Sequence, residues 1–143
     1  MNKRSGFTLL ELLVVVLIIT ILGAVVGVQL AGKPDEARQA AALAQLENYR
    51  LALKLYRMDN GVLPTQRQGL MALVEPSTID PQPRKFPLEG YLERRTLPLD
   101  PWGNDYVYLV PGSHGEAYEV ICYGRDGEPG GEAEAADIST ANP

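Results

Sequence analysis

The chain has 143 residues, enough for one small core, and a formal charge of −5 from 18 acidic and 13 basic residues. That balance excludes the clustered basic face a nucleic-acid footprint requires. A single cysteine, Cys122, excludes an intramolecular disulfide, and with one histidine, His114, there is no nucleophile–base set on which to build an enzyme.

The first predicted element is apolar. Residues 7–30 carry one charge, Glu11, and a helix rising about 1.5 Å per residue over that run reaches about 36 Å, more than the roughly 30 Å of a hydrocarbon core. Lys3 and Arg4 stand before it, which predicts a cytoplasmic N-terminus and a C-terminal part on the far side of the membrane. The run is too long for the apolar part of a secretory signal and continues into an amphipathic helix. Glu11 is the anomaly, because a carboxylate inside a membrane helix costs several kcal/mol on insertion scales, less near the interface. On chemistry alone it reads in two ways: as a snorkelling side chain at the end of a plain anchor, or as half of an ion pair whose cation lies outside the run.

Lys3-Arg4-Ser5-Gly6 followed by Phe7-Thr8-Leu9-Leu10-Glu11 resembles the class III signal of type IV pilins and pseudopilins. The resemblance implies a leader over residues 1–6 and cleavage between Gly6 and Phe7 by a prepilin peptidase, which then N-methylates Phe7. It also implies that Glu11 faces the terminal amine of a neighbouring copy. Electrostatics is compatible with this, since cleavage creates a cation at Phe7 and an opposite charge in a low dielectric keeps a carboxylate ionised.

Beyond the apolar run, over residues 31–143, a soluble part is expected. Ala42, Leu46, Tyr49, Leu53 and Tyr56 recur at spacings of four and three, which predicts an amphipathic helix over 35–58 with Arg38, Glu47, Arg50, Lys54 and Arg57 on its polar side. Gly32 and Pro34 are expected to loosen its junction with the apolar half, and Asp59-Asn60-Gly61 to end it. Read through, 7–58 is a single rod of about 78 Å. Residues 59–104 are expected to be irregular but packed, since Pro81, Pro83 and Pro87 forbid continuous regular structure while Phe86, Tyr91 and Leu92 are apolar. Within them, 66–74 reads as a short helix with Leu70, Leu73 and Val74 inward.

"DYVYLV" and "EAYEVICYG", joined by Pro111-Gly112-Ser113-His114-Gly115, predict an antiparallel hairpin over 105–123. Tyr118, Val120 and Cys122 share one of its faces, and the amphipathic helix is its floor. His114 reads as a solvent-exposed turn residue. The fold class is therefore α+β, a long N-terminal helix packed on a small antiparallel sheet. The last stretch, 123–138, has glycines at 124, 127, 130 and 131 and acids at Asp126, Glu128, Glu132, Glu134 and Asp137. By composition it is either a solvated acidic tail or a loop for a hard cation, without the spacing of an EF-hand.

Three stretches, "LKLYRMDNGVLPTQRQGLMALV", "GYLERRTLPLDPWGNDYVYLVPGSHG" and "YGRDGEPGGEAEAADI", resemble the major pseudopilins of type II secretion, the general secretion pathway protein G family; Asp100-Pro101-Trp102-Gly103-Asn104 is the most specific part. This resemblance implies a type IV pilin-like fold and a subunit of the pseudopilus, a filament that extends from the inner membrane into the periplasm of a Gram-negative bacterium and helps export folded proteins across the outer membrane. It implies a single-pass inner-membrane protein with its C-terminal domain in the periplasm. Its partners would be copies of itself, minor pseudopilins, the prepilin peptidase, the inner-membrane secretion platform and membrane lipid, with no nucleic acid.

The resemblance further implies a calcium ion in the loop after the last strand, held by the side chains of Asp126 and Asp137 and the carbonyls of Tyr123 and Gly131, with Glu132 and Glu134 as further candidates. The chain departs from the family at Ala135-Ala136, where a polar residue often precedes the final aspartate. It has Val28 in place of a proline and Thr20 in place of a glycine, and it ends in residues 139–143 instead of Gly-Asn-Trp. The alternative function is a minor pseudopilin or a type IV pilin with a tip or adhesion role.

Overall fold

A computed structural model of the chain describes residues 8–31 and 33–141, with side chains for 8–22, 35–133 and 135–141. The chain forms two units, Met1–Ala37 and Arg38–Pro143.

The first unit contains α1, Leu9–Ala31. Thr8 starts it: its Oγ1 accepts the Glu11 N–H at 3.3 Å and its carbonyl accepts the Leu12 N–H at 3.2 Å, the bonding of a helix N-cap. The helical backbone runs unbroken through positions 20 and 28, the two departures from the resemblance in this segment. Thr20 satisfies its hydroxyl by donating to the Val16 carbonyl at 2.8 Å. From Leu9 to Leu22 every described side chain is exposed, Leu9 at 81% and Leu22 at 59%. Among the described residues no helix is long and apolar enough to cross a membrane. The backbone of α1 covers 23 residues, about 34 Å of axis.

Most of the second unit is built on α2, Lys33–Asn60. α1 ends at Ala31 and α2 begins at Lys33, with Gly32 outside the described residues, so the rod expected over 7–58 is described as two helices. Pro34 lies in the first turn of α2, where a missing N–H has no intrahelical partner to lose. At the other end Gly61, at φ 77°, donates to the Arg57 carbonyl at 2.8 Å and stops the helix. Ala42, Leu46, Tyr49, Leu53 and Tyr56 are all 0–2% exposed, so the predicted stripe is the core seam.

Packed against that seam are Leu70 and Leu73 of a 3-10 turn, Leu70–Leu73, with Val74 after it. The sheet supplies Val120 and Cys122, both fully buried. Tyr106 meets Tyr49 edge to face at a centroid separation of 5.1 Å, and Tyr91 meets Tyr56 at 5.3 Å, spacings at which aromatic pairs attract. The segment between is irregular but pinned. The buried amide of Gln68 donates to the carbonyls of Ile79 at 2.6 Å and Pro81 at 2.9 Å. Asn60 Oδ1 accepts the Lys85 N–H at 2.9 Å, and Tyr91 N–H reaches the Leu73 carbonyl at 2.8 Å.

The sheet has three antiparallel strands, β1 (Val107–Leu109), β2 (Glu119–Cys122) and β3 (Ile138–Ser139), in that order, where the hairpin expectation had two. Val107 faces Ile121 and Tyr108 faces Val120, while β3 pairs Ser139 with Ile121. β1 is shorter than its alternating pattern because Val110 N–H turns away to Gln66 Oε1 at 2.8 Å and Pro111 has no N–H to offer. β3 straddles the point of departure from the resemblance, Ile138 closing the stretch that carries it and Ser139 opening the divergent end. Thr140 extends its pairing, its N–H on the Val120 carbonyl and its Oγ1 accepting the Val120 N–H, both at 3.0 Å.

Candidate functional site

At the head of α1, Gly6 and Phe7 lie outside the described residues. Glu11 is exposed in the first turn, its backbone N–H capped by Thr8. A carboxylate there gains about 0.3–1 kcal/mol from the helix dipole, far less than the several kcal/mol that burial in lipid costs. The cap fixes where the helix begins; it does not account for a lone carboxylate in an apolar run.

The acidic loop runs between β2 and β3, so the sheet holds both of its ends. Asp137, just before β3, reaches back so that its Oδ2 accepts the Gly130 N–H at 2.9 Å, drawing the returning limb onto the glycine turn beside Gly131. Asp126 Oδ1 accepts the Glu128 N–H at 3.2 Å. Gly131 sits at φ 92°, and a Cβ there would lie 2.3 Å from the Ala135 carbonyl oxygen, so only glycine fits. Ala133, a non-glycine residue at φ 54°, forms a 3-10 turn with Ala135, and Gln39 of α2 donates to its carbonyl at 3.2 Å. Tyr123 is half-buried directly after β2, while Asp126, Glu132 and Asp137 are exposed. The side chain of Glu134 lies outside those described. The loop is thus folded and tied at several points, which a freely solvated tail would not be.

Sequence reasoning gave Asp100, Asn104 and Glu119 no role. Asp100 and Glu119 are buried at 5% and 4% exposure. Among the described residues, ligand atoms of His114, Glu116 and Glu119 lie within 4.8 Å of one another. Their carboxylates organise the β1–β2 connection: Glu116 Oε2 accepts the His114 N–H at 3.0 Å, and Glu119 Oε2 accepts both the N–H and the hydroxyl of Ser113. Burial opposes ionisation of Glu119, but the Ser113 donors, with Ser139 and then nearby His114, hold its carboxyl below the ordinary value.

Cys122 is no nucleophile. Burial first, then the neighbouring Asp100 and Asp137 carboxylates, push its thiol up to about 12 against the Gly124 N–H, so it stays protonated and donates to Asp100 Oδ2 at 3.3 Å.

Comparison with known proteins agrees with this architecture. The family model described as "Type II secretion system (T2SS), protein G" matches residues 29–141, and that described as "Prokaryotic N-terminal methylation motif" matches residues 1–27. The chain is 46% identical to type II secretion system core protein G of Vibrio cholerae, covering 99% of this chain and 94% of that one. It is 43% identical to the protein of the same name from Pseudomonas aeruginosa, over 96% and 94%. The crystal structure of the major pseudopilin from the type 2 secretion system of enterohaemorrhagic Escherichia coli superposes with a TM-score of 0.65 at 39% identity, covering 78% of this chain and 92% of that one. With relatives this similar over nearly the full length of both partners, the chain belongs to the type II secretion system protein G family.

Proposed function

We infer that this protein is a structural, non-enzymatic subunit of the type II secretion pseudopilus, polymerising into a periplasmic filament that helps move folded proteins across the outer membrane. The observation that carries this reading is α1 itself: an apolar helix whose described side chains are all exposed, with a lone carboxylate in its first turn. Such a helix needs apolar surroundings that its own chain does not provide over Leu9–Leu22, and membrane lipid and other copies of the chain supply them in turn. Before assembly, residues 7–30 anchor the protein once in the inner membrane with the C-terminal unit in the periplasm. A prepilin peptidase cuts between Gly6 and Phe7 and methylates Phe7. The new terminal amine of one copy then pairs with Glu11 of another, compensating a charge that would otherwise be costly in lipid. Minor pseudopilins and the inner-membrane secretion platform complete the assembly. Head-to-tail contacts of this kind propagate a fibre where the rotation between copies does not close a ring.

The acidic loop is the proposed calcium site. Support comes from its chemistry: Asp126 and Asp137, the carbonyls of Tyr123 and Gly131, and Glu132 and Glu134 nearby are hard oxygen donors, with no cysteine or histidine among residues 123–138. Asp126 and Asp137 each have an oxygen beyond the one that holds a backbone N–H. Calcium bound there stabilises the folded loop by mass action, in a chain without a disulfide.

Electron microscopy of cells overproducing the full chain, in calcium and in a chelator, tests the reading. Fibres that form only with calcium are expected. No fibres under either condition contradicts it and favours a minor, tip-located subunit.

A further inference from the structure

Asp100 is a buried carboxylate that closes the 100–104 turn on itself. Its Oδ1 accepts the N–H groups of Trp102 at 2.9 Å and Asn104 at 2.8 Å, and the Asn104 carbonyl accepts the Asp100 N–H at 2.9 Å. Its other oxygen takes the Cys122 thiol, so the turn is bonded to the end of β2. The Asn104 backbone is thereby fixed, and its side chain reaches the acidic loop twice. Its Nδ2 donates to the Gly124 carbonyl at 3.0 Å. At Gly127, held at φ 68°, a Cβ would come within 3.1 Å of Asn104 Cγ and Oδ1, so the chain there passes directly over the amide. The two contacts lie on either side of Asp126, two residues before it and one after.

We propose that Asn104, held by Asp100, is a positioning residue for the acidic loop: its amide clamps residues 124–127 and so presents the Asp126 carboxylate. This deepens the calcium reading and rests on it for its effect on affinity. Partners one step removed from a metal ligand typically change affinity ten- to a hundredfold when lost.

An isosteric swap separates clamping from mere charge. Asn104→Asp removes the donor to the Gly124 carbonyl while adding a negative charge beside the loop. A clamp predicts weaker calcium binding, whereas a purely electrostatic contribution predicts tighter binding.

The test is calorimetric titration of the full chain in detergent micelles with calcium chloride, alongside hydrogen exchange in a chelator. Asn104→Ala is expected to lose about tenfold in calcium affinity, and Asn104→Asp to weaken it as well. Without calcium, Asn104→Ala is expected to speed exchange about tenfold at the amides of 124–131, with those of β1 and β2 unchanged. Wild-type affinity in Asn104→Ala, tighter binding in Asn104→Asp, or unchanged exchange over 124–131 overturns the proposal. If neither the wild-type chain nor Asp126→Ala binds calcium but exchange rises as expected, the clamp stands and the calcium reading alone fails.

Discussion

α1 and α2 are both long helices, yet they meet opposite conditions. Along α2, Leu46, Tyr49, Leu53 and Tyr56 are covered by the sheet and by the 70–74 segment until at most 2% of each is exposed. Along α1, Leu12, Val16 and Ile19 remain 57–63% exposed. The second unit therefore covers its apolar stripe with its own chain, while the described apolar side chains of the first stay uncovered, which is why lipid and other copies are proposed as its surroundings. Composition already separates them: a helix apolar on one stripe needs cover on one side, and one apolar all round needs apolar surroundings on every side.

The largest expected effect tests that contrast directly. Leu53→Ala removes a fully buried side chain and is expected to cost about 3 kcal/mol of stability in the second unit. Leu17→Ala in α1 is expected to leave the same thermal transition unchanged, read from near-ultraviolet circular dichroism of the full chain in detergent. Equal losses in both variants would break the comparison.

A somewhat smaller effect concerns how the second unit ties down its own C-terminal loop. Calcium at a hundredfold excess over its dissociation constant is expected to stabilise the wild-type chain by about 2.7 kcal/mol. Asp126→Ala is expected to abolish that calcium-dependent rise in Tm. A rise of wild-type size in the variant contradicts the assigned ligand.

The smallest effect is the acid dependence of the second unit. Glu119 is held below its ordinary value of 4.5, its Ser113 and Ser139 donors overcoming burial. Asp59 is likewise lowered, chiefly by the Lys85 ammonium 3.0 Å away. A carboxylate depressed in the folded state binds its proton more readily when unfolded. Its contribution is therefore complete above the ordinary value and is lost as pH falls through the folded one. Stability set by these two groups is expected to be flat from pH 7 to about 5 and to decline below about 4.5, with a shallower decline in Glu119→Gln. A decline already complete at pH 6 would point to other groups.

Much of this was legible from residue order. The α2 stripe needed only the spacing of five residues, and Leu70, Leu73 and Val74 announced their burial in the same way. β3 was not legible, because Ile138 and Ser139 are too few to show alternation and form a strand only beside β2. Nothing in the spacing around Gln68 or Asp100 announces burial; it and their bonds to backbone groups arise only when the folded segments meet. Ligand types in the acidic loop could be read from its composition, but its braces at Gln39 and Asn104 come from residues 94 and 20 positions away from their partners. Glu11 could be read as an anomaly, yet the cation proposed for it belongs to another copy.

The central claim, that α1 is completed by neighbouring copies through Glu11, is tested most directly by assembly of Glu11→Ala beside wild type. Fibres sheared from cells producing equal amounts of each would be counted by electron microscopy, with membrane fractions checked for intact protein. The account predicts that the variant accumulates, folded, in the membrane and forms few or no fibres. Fibres at the wild-type level would contradict it.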